Sequence, residues 1–171
     1  MEEKLGDMLW KTFEQSGDEV RDIKVTAPID SLLTRLCREN DIDRSGIKLH
    51  VVRQDDVNAF ALPDQHLVVF TGLIDMCENE AELCGVLGHE LAHIAHRHVM
   101  RKLVREVGLS VLMSMTTGNG SGNTARSVLK VLTSSAYDRE LEREADMASV
   151  DYMVQAGIDP EPFSRFMYRL G

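Results

Sequence analysis

Leu5, Leu9 and Phe13, joined by Met8, recur at the spacing of one helix face and predict an opening helix that stops near Gly17. A second helix is predicted over about 27–39, with Ile29, Leu32, Leu33, Leu36 and Cys37 on its apolar side and Asn40 near its end. The period then changes. Ile47 to Arg53 alternates apolar and polar as a half-buried strand does, and the runs 58–62 and 66–71 flank Pro63-Asp64-Gln65 as the arms of a hairpin. Asn79 and Glu82 occupy capping-box positions at the head of a long helix, expected to run through Leu83, Val86, Leu87, Leu91 and Ile94 to about Leu103. Two apolar helical segments, about 107–115 and 125–134, are separated by the Gly/Ser/Asn/Thr-rich stretch 116–124, which reads as a flexible loop. A helix over about 135–156 follows, with Gly157 in the stop position and Pro160 beyond it, and a short last helix covers about 161–170.

Strand patterns confined to 47–71, followed by helices only, predict one α+β domain over 1–171: a small, mostly antiparallel sheet of about three strands packed on the 79–103 helix. A chain of 171 residues can bury a sizeable core, and 43% hydrophobic with 27% charged residues sets it apart from fibrous and disordered chains. The formal charge of −9 speaks against nucleic acid as a partner, because a phosphate footprint needs clustered cations. The one dense basic run, Arg97 to Arg105, is interleaved with Val99, Met100, Leu103 and Val104 and reads as the solvated face of a helix. Cys37, Cys77 and Cys84 are odd in number and contain no C-x-x-C pair, so they read as small buried apolar residues rather than disulfides or zinc ligands. The opening MEEKLGDMLWK has no basic-then-apolar leader, and the most apolar window, Val107 to Met115, is too short to span a bilayer. The chain is expected to be cytosolic or to have lost a targeting segment.

The chemistry concentrates in Gly88-His-Glu-Leu-Ala-His-Ile-Ala-His-Arg-His98. His89 and His93 are four apart, so on a helix both imidazoles lie on one face and can reach a single metal ion. Glu90 is one step round from His89, where its carboxylate can accept a proton from water at the metal. A catalytic zinc takes three protein ligands and leaves a position open. A metzincin is excluded, since it would need Gly at 96 and His at 99, where this chain has His96 and Val99. The best candidate for the third ligand is Glu142, with Asp146 one turn on to hold the outer nitrogen of a ligating histidine. The alternative for Glu142 is a surface pair with Arg139 or Arg143. Glu140 and Glu144 are expected to face solvent. His96 would close the site if it were a fourth ligand, His98 is expected to pack or hydrogen-bond in the core, and His50 and His66 read as ordinary strand residues.

G-H-E-L-A-H-I-A-H-R-H, the E-R-E-A-D of 142–146, and Asn58-Ala-Phe-Ala-Leu-Pro63 ahead of Phe70-Thr-Gly-Leu73 resemble the zinc metallopeptidases related to the CAAX prenyl endopeptidases. That family, the M48 gluzincins, includes mitochondrial Oma-type and bacterial envelope quality-control proteases, and the resemblance runs over about 20–170. It implies one zinc ion per chain held by His89, His93 and Glu142, with Glu90 as general base. It also implies that Asn58, Ala59 and Phe60 form a sheet edge on which an extended or unfolded polypeptide adds as a strand, although Asn58 could merely open the hairpin. Two features depart from the family. Asp64-Gln65 stands where a Gly-rich turn is usual, and the chain ends at Leu170-Gly171 ahead of the family's Thr-His-Pro segment, as expected of a truncated catalytic core. The resemblance points to the cell envelope, with membrane association of a full-length protein left open; the residues alone are equally compatible with the cytoplasm. The competing reading is a zinc-containing binding or chaperone-like module with little turnover.

Overall fold

The computed structural model describes residues 1–118, 122–134 and 136–170. Helix α1 (Glu2–Glu14) buries Leu5, Leu9, Trp10 and Phe13, the face its spacing indicates. Helix α2 (Ile23–Glu39) begins before its apolar pattern does, because the Asp22 carboxylate accepts from Lys24 N–H at 3.0 Å and caps it.

Strands β1 (Lys48–Val52), β2 (Ala59–Leu62) and β3 (His66–Phe70) form one sheet in the order β1-β3-β2. β2 and β3 make the expected antiparallel hairpin, but β1 runs parallel to β3, so the sheet is mixed rather than mostly antiparallel. The physical reason lies in β3, whose five residues are all buried. Leu67 and Val69 point into one apolar cluster, Val68 and Phe70 into the other, and a strand covered on both faces takes the central position. The turn between β2 and β3 is built from Asp64 and Gln65 at φ 64° and 61°, the left-handed pair that matches strand twist in a tight hairpin.

The sheet lies between two helical layers. On one side pack α1, α5 (His98–Glu106), α6 (Leu109–Thr116) and α7 (Gly122–Ser134). On the other pack α2, α3 (Thr71–Met76), α4 (Glu80–Ala95), α8 (Arg139–Gln155) and α9 (Glu161–Leu170). α3 follows β3 without a linker, and the sequence pattern did not foretell it. Of the expected loop 116–124, Thr116 ends α6, 122–124 open α7, and 119–121 lie outside the described residues. α8 starts later than expected, where the Asp138 carboxylate accepts from Leu141 N–H at 3.0 Å.

The long helix predicted over 79–103 is two helices. Asn79 caps α4 as expected, accepting from Glu82 N–H at 3.0 Å, while the Glu82 carboxylate accepts from Glu78 N–H and binds Arg169 of α9 at 3.0 Å. The break comes at Arg97, whose backbone is left-handed at φ 58°. Neither Gly nor Pro marks it, and the turn swings His98, Val99 and Leu103 into the core. Lys102, part of the run read as a solvated face, is also buried and sits 4.6 Å above the Tyr137 ring.

Two glycines let α4 approach its neighbours. A Cβ on Gly85 would lie 2.0 Å from the Phe163 ring of α9, and one on Gly88 would lie 2.7 Å from Ser149 Oγ of α8. Ser149 Oγ donates to the Gly85 carbonyl at 2.7 Å across that contact. This close packing sets α8 against the histidine-bearing face of α4. All three cysteines are free, and burial pushes the Cys37 and Cys84 thiols up to about 11. Among the described residues no helix is long and apolar enough to cross a membrane.

Candidate metal centre and active-site cleft

His89 and His93 stand one turn apart on α4, and Glu142 enters from the first turn of α8. Their donor atoms converge. His89 Nε2 and His93 Nε2 are 3.1 Å apart, and the Glu142 oxygens lie 3.3 Å from His89 Nε2 and 3.4 Å from His93 Nε2. Donors about 2.0–2.2 Å from a tetrahedral zinc stand roughly 3.3–3.5 Å from one another, so the observed triangle has the size of one face of that polyhedron.

The outer nitrogens decide what the inner ones can do. His93 Nδ1 lies 2.9 Å from His98 Nδ1, and His98 Nε2 lies 3.4 Å from a Glu144 oxygen. With a proton on His93 Nδ1 donated to His98, and one on His98 Nε2 facing Glu144, His93 Nε2 is left with its lone pair directed at Glu142 and His89. Asp146 Oδ1 is 2.8 Å from His89 Nδ1, close enough to hold a proton there although out of line for a linear hydrogen bond. Both imidazoles thus present a lone pair to a carboxylate. In these tautomers three acceptors face one another with no donor between them, and the gap has to be filled by a cation, either a proton or a metal ion.

The electrostatics carry the same demand. Burial opposes charge on His89, yet Asp146, Glu142 and Glu90 outweigh it and raise its pKa to about 10. Burial likewise opposes ionisation of Glu142, but the adjoining His89 and His93 rings hold its carboxyl far below the usual range. Glu90 is 9% exposed, and burial, aided by the Glu142 charge and opposed by His89, pushes its pKa up to about 7. A carboxylate tuned near neutrality can both take and return a proton.

The site opens into a cleft of about 250 Å³, lined by Asn58, Ala59 and Phe60 together with His89, Glu90 and Tyr137. β2 is an edge strand, as the resemblance implied, and Asn58 Nδ2 donates to the Thr133 carbonyl of α7 at 3.3 Å. Asn58 also accepts from Phe70 N–H through its carbonyl at 3.1 Å, so it opens the hairpin as well as lining the cleft.

Other sequence expectations are settled by position. His96 turns outward to Glu144, 2.9 Å away, and does not join the cluster. Glu142 faces His89 and His93. Glu144, expected to be solvated, is half-exposed but spans His96 and His98. Two neighbours were not assigned to the site: His98, which lies in the core as expected but is brought onto His93 by the break at Arg97, and Tyr137, whose ring stacks on His93 at 3.8 Å and 13°. Tyr137 could have been suspected from its place just ahead of the acidic run; the contact of His98 with His93 gave no signal, because a continuous helix turns the two apart.

The profile of peptidase family M48 matches residues 24–168. The chain is 32% identical over 170 residues to the metalloprotease LoiP of Escherichia coli, covering 91% of this chain and 67% of that protein. It is 32% identical over 137 residues to the mitochondrial metalloendopeptidase OMA1 of Schizosaccharomyces pombe, covering 79% of this chain and 41% of that one. It is 26% identical over 181 residues to the β-barrel assembly-enhancing protease of Yersinia pestis, covering 97% and 37%. The chain therefore spans about two fifths of the length of these last two relatives. The chain belongs to peptidase family M48, and a metal cofactor comes with that membership.

Proposed function

We propose that this chain is the catalytic unit of a zinc-dependent metalloendopeptidase that cleaves extended or unfolded polypeptide, with one zinc held by His89, His93 and Glu142. The observation that carries the reading is the convergence of two imidazole nitrogens and a carboxylate within 3.4 Å of one another, all acceptors. The outer contacts of His89 to Asp146 and of His93 to His98 favour the tautomers that such ligation needs.

Zinc bound there would polarise the scissile carbonyl and acidify water at its open position. Glu90 takes the proton of the attacking water and delivers it to the departing amine, a task for which its pKa near 7 suits it. Asp146 and His98 hold the two rings in register, and Tyr137 backs His93. Asn58, Ala59 and Phe60 bind the substrate as a strand added to the β2 edge, so that main-chain hydrogen bonds orient the scissile bond over the cleft. A strand can be added only by a segment free of its own structure, which selects unfolded protein. The names of the relatives, an assembly-enhancing protease among them, favour a role in protein quality control.

The test is digestion of a denatured protein such as casein by the purified chain, stripped with a chelator and then restored with one equivalent of zinc. Zinc-restored cleavage is expected. Binding of the denatured protein without cleavage would replace the reading with that of a binding module.

A further inference from the structure

A second group of metal-binding side chains sits at the far end of the hairpin from the cleft. Ligand atoms of Asp7 on α1, Asp64 in the turn and His66 at the start of β3 all lie within 4.8 Å of one another. His66 pairs across the sheet with Leu62, whereas the cleft begins at Ala59, which pairs with Val69. Three residues of strand, roughly 10 Å, separate the two levels.

A cluster of this kind means little unless something in it is unsatisfied. Here the unsatisfied atom is His66 Nε2. The residue is 3% exposed, and Nε2 is a buried nitrogen with no hydrogen-bond partner; its nearest charged neighbour is Asp7 Oδ1 at 3.7 Å. The proton inventory of the ring can be followed from its other side. Glu19 Oε2 lies 3.0 Å from His50 Nδ1, and His50 Nε2 lies 2.9 Å from His66 Nδ1. Glu19, as a carboxylate, accepts from His50 Nδ1–H. His50 Nε2 is then the acceptor for His66 Nδ1–H, which leaves a lone pair on His66 Nε2.

Trp10 covers His50 at 3.6 Å and 16°, so the pair of rings is shielded on that side. The buried lone pair therefore faces carboxylates with no proton to bridge them. Lys48 Nζ takes Asp64 Oδ2 at 2.7 Å and the Asp64 carbonyl at 3.0 Å, but it does not reach His66, and a carboxylate has a second oxygen to share. Burying an acceptor that meets only other acceptors costs free energy unless a cation joins them.

We propose that Asp7, Asp64 and His66 form a second divalent-cation site, separate from the His89–His93–Glu142 centre, that ties α1 to the hairpin turn. One imidazole nitrogen with two carboxylate oxygens selects a first-row transition cation, with zinc as the natural probe, over calcium, which wants six to eight oxygens. The 3.7 Å separation of His66 Nε2 from Asp7 Oδ1 is what two donors about 2.1 Å from one ion subtend at an open angle.

Calorimetric titration of the metal-stripped chain with zinc tests this. Two equivalents are expected, and Asp7→Asn, a change at a half-exposed position, should retain one while weakening the other at least tenfold. Calcium should not fill the second site at comparable concentration. Because the second equivalent is read as the difference between wild type and Asp7→Asn, it is counted whether or not the His89 centre behaves as proposed. Nitrogen NMR of the histidine rings gives an independent readout, since the His66 Nε2 resonance should move with that equivalent. Zinc stoichiometry and affinities that Asp7→Asn leaves unchanged from wild type, whether one equivalent binds or two (as an exposed His96–Glu144 site would give), overturn the proposal.

Discussion

The contact that brings α8 onto the metal-binding face of α4 can be tested with one methyl group. In Gly88→Ala the new Cβ would stand 2.7 Å from Ser149 Oγ, while Ser149 Cβ stays at an ordinary 3.5 Å. The hydroxyl cannot simply turn away. It is fully buried and donates to the Gly85 carbonyl at 2.7 Å, so rotating it strands a polar group. Stranding it, or spreading the helices instead, costs about 1–3 kcal/mol. Alanine returns about 1 kcal/mol through its better helix propensity. The net loss for Gly88→Ala should be about 0–2 kcal/mol, and Ser149→Ala alone should lose about 0.5–1.5 kcal/mol with its hydrogen bond. In the double variant the clash disappears while the propensity gain remains, so its stability should return to within about 0.5 kcal/mol of wild type. The assay is urea unfolding of all four proteins, metal-stripped to remove ligand linkage. A double variant whose loss equals the sum of the singles would refute the argument that the hydroxyl–methyl clash limits the approach of α8 to α4.

Other outcomes follow from the same contacts. Glu142→Ala should release zinc and loosen α8 against α4, since the ion would bridge the two helices. Asp146→Ala should keep zinc bound but lower its affinity about ten- to a hundredfold, and His98→Ala should do likewise, both measured by competition with a chromogenic chelator. The Arg169 guanidinium, with the Glu78 N–H, holds the buried Glu82 carboxyl below its ordinary 4.5. Its folded pKa is the lower one, so the stabilisation is present above about pH 4.5 and disappears as pH falls through the folded value. Arg169→Ala should accordingly lower the urea midpoint clearly at pH 7 and much less near pH 3, and a loss of equal size at both would contradict this account.

Most of the site was legible because it is local. His89 and His93 share a helix face by arithmetic, and Glu142 and Asp146 repeat that spacing on a later acidic helix. The edge position of β2 beside the cleft came from the family resemblance alone, with a plain hairpin start as its alternative. The rest depended on tertiary packing. No period marks the break at Arg97, because a left-handed Arg is tolerated only where the core on both sides pins it, so the core place expected for His98 did not reveal its contact with His93. The parallel pairing of β1 with β3 depends on which strand is covered on both faces, which single-strand alternation does not report. His50 and His66 looked ordinary on their strands, and only the register that sets them 2.9 Å apart joins them to Glu19 and directs His66 at Asp7.

Glu90 gives the most direct test of the central claim, because it separates holding a metal from using it. Glutamine at 90 keeps the size and polarity of the side chain but cannot accept a proton at neutral pH, and losing a general base costs about two to four orders of magnitude in rate. Zinc content and hydrolysis of a denatured protein should be measured on the same preparations of wild type and Glu90→Gln. The account predicts equal zinc at the His89–His93–Glu142 centre and hydrolysis reduced at least a hundredfold. Undiminished hydrolysis in Glu90→Gln would contradict it.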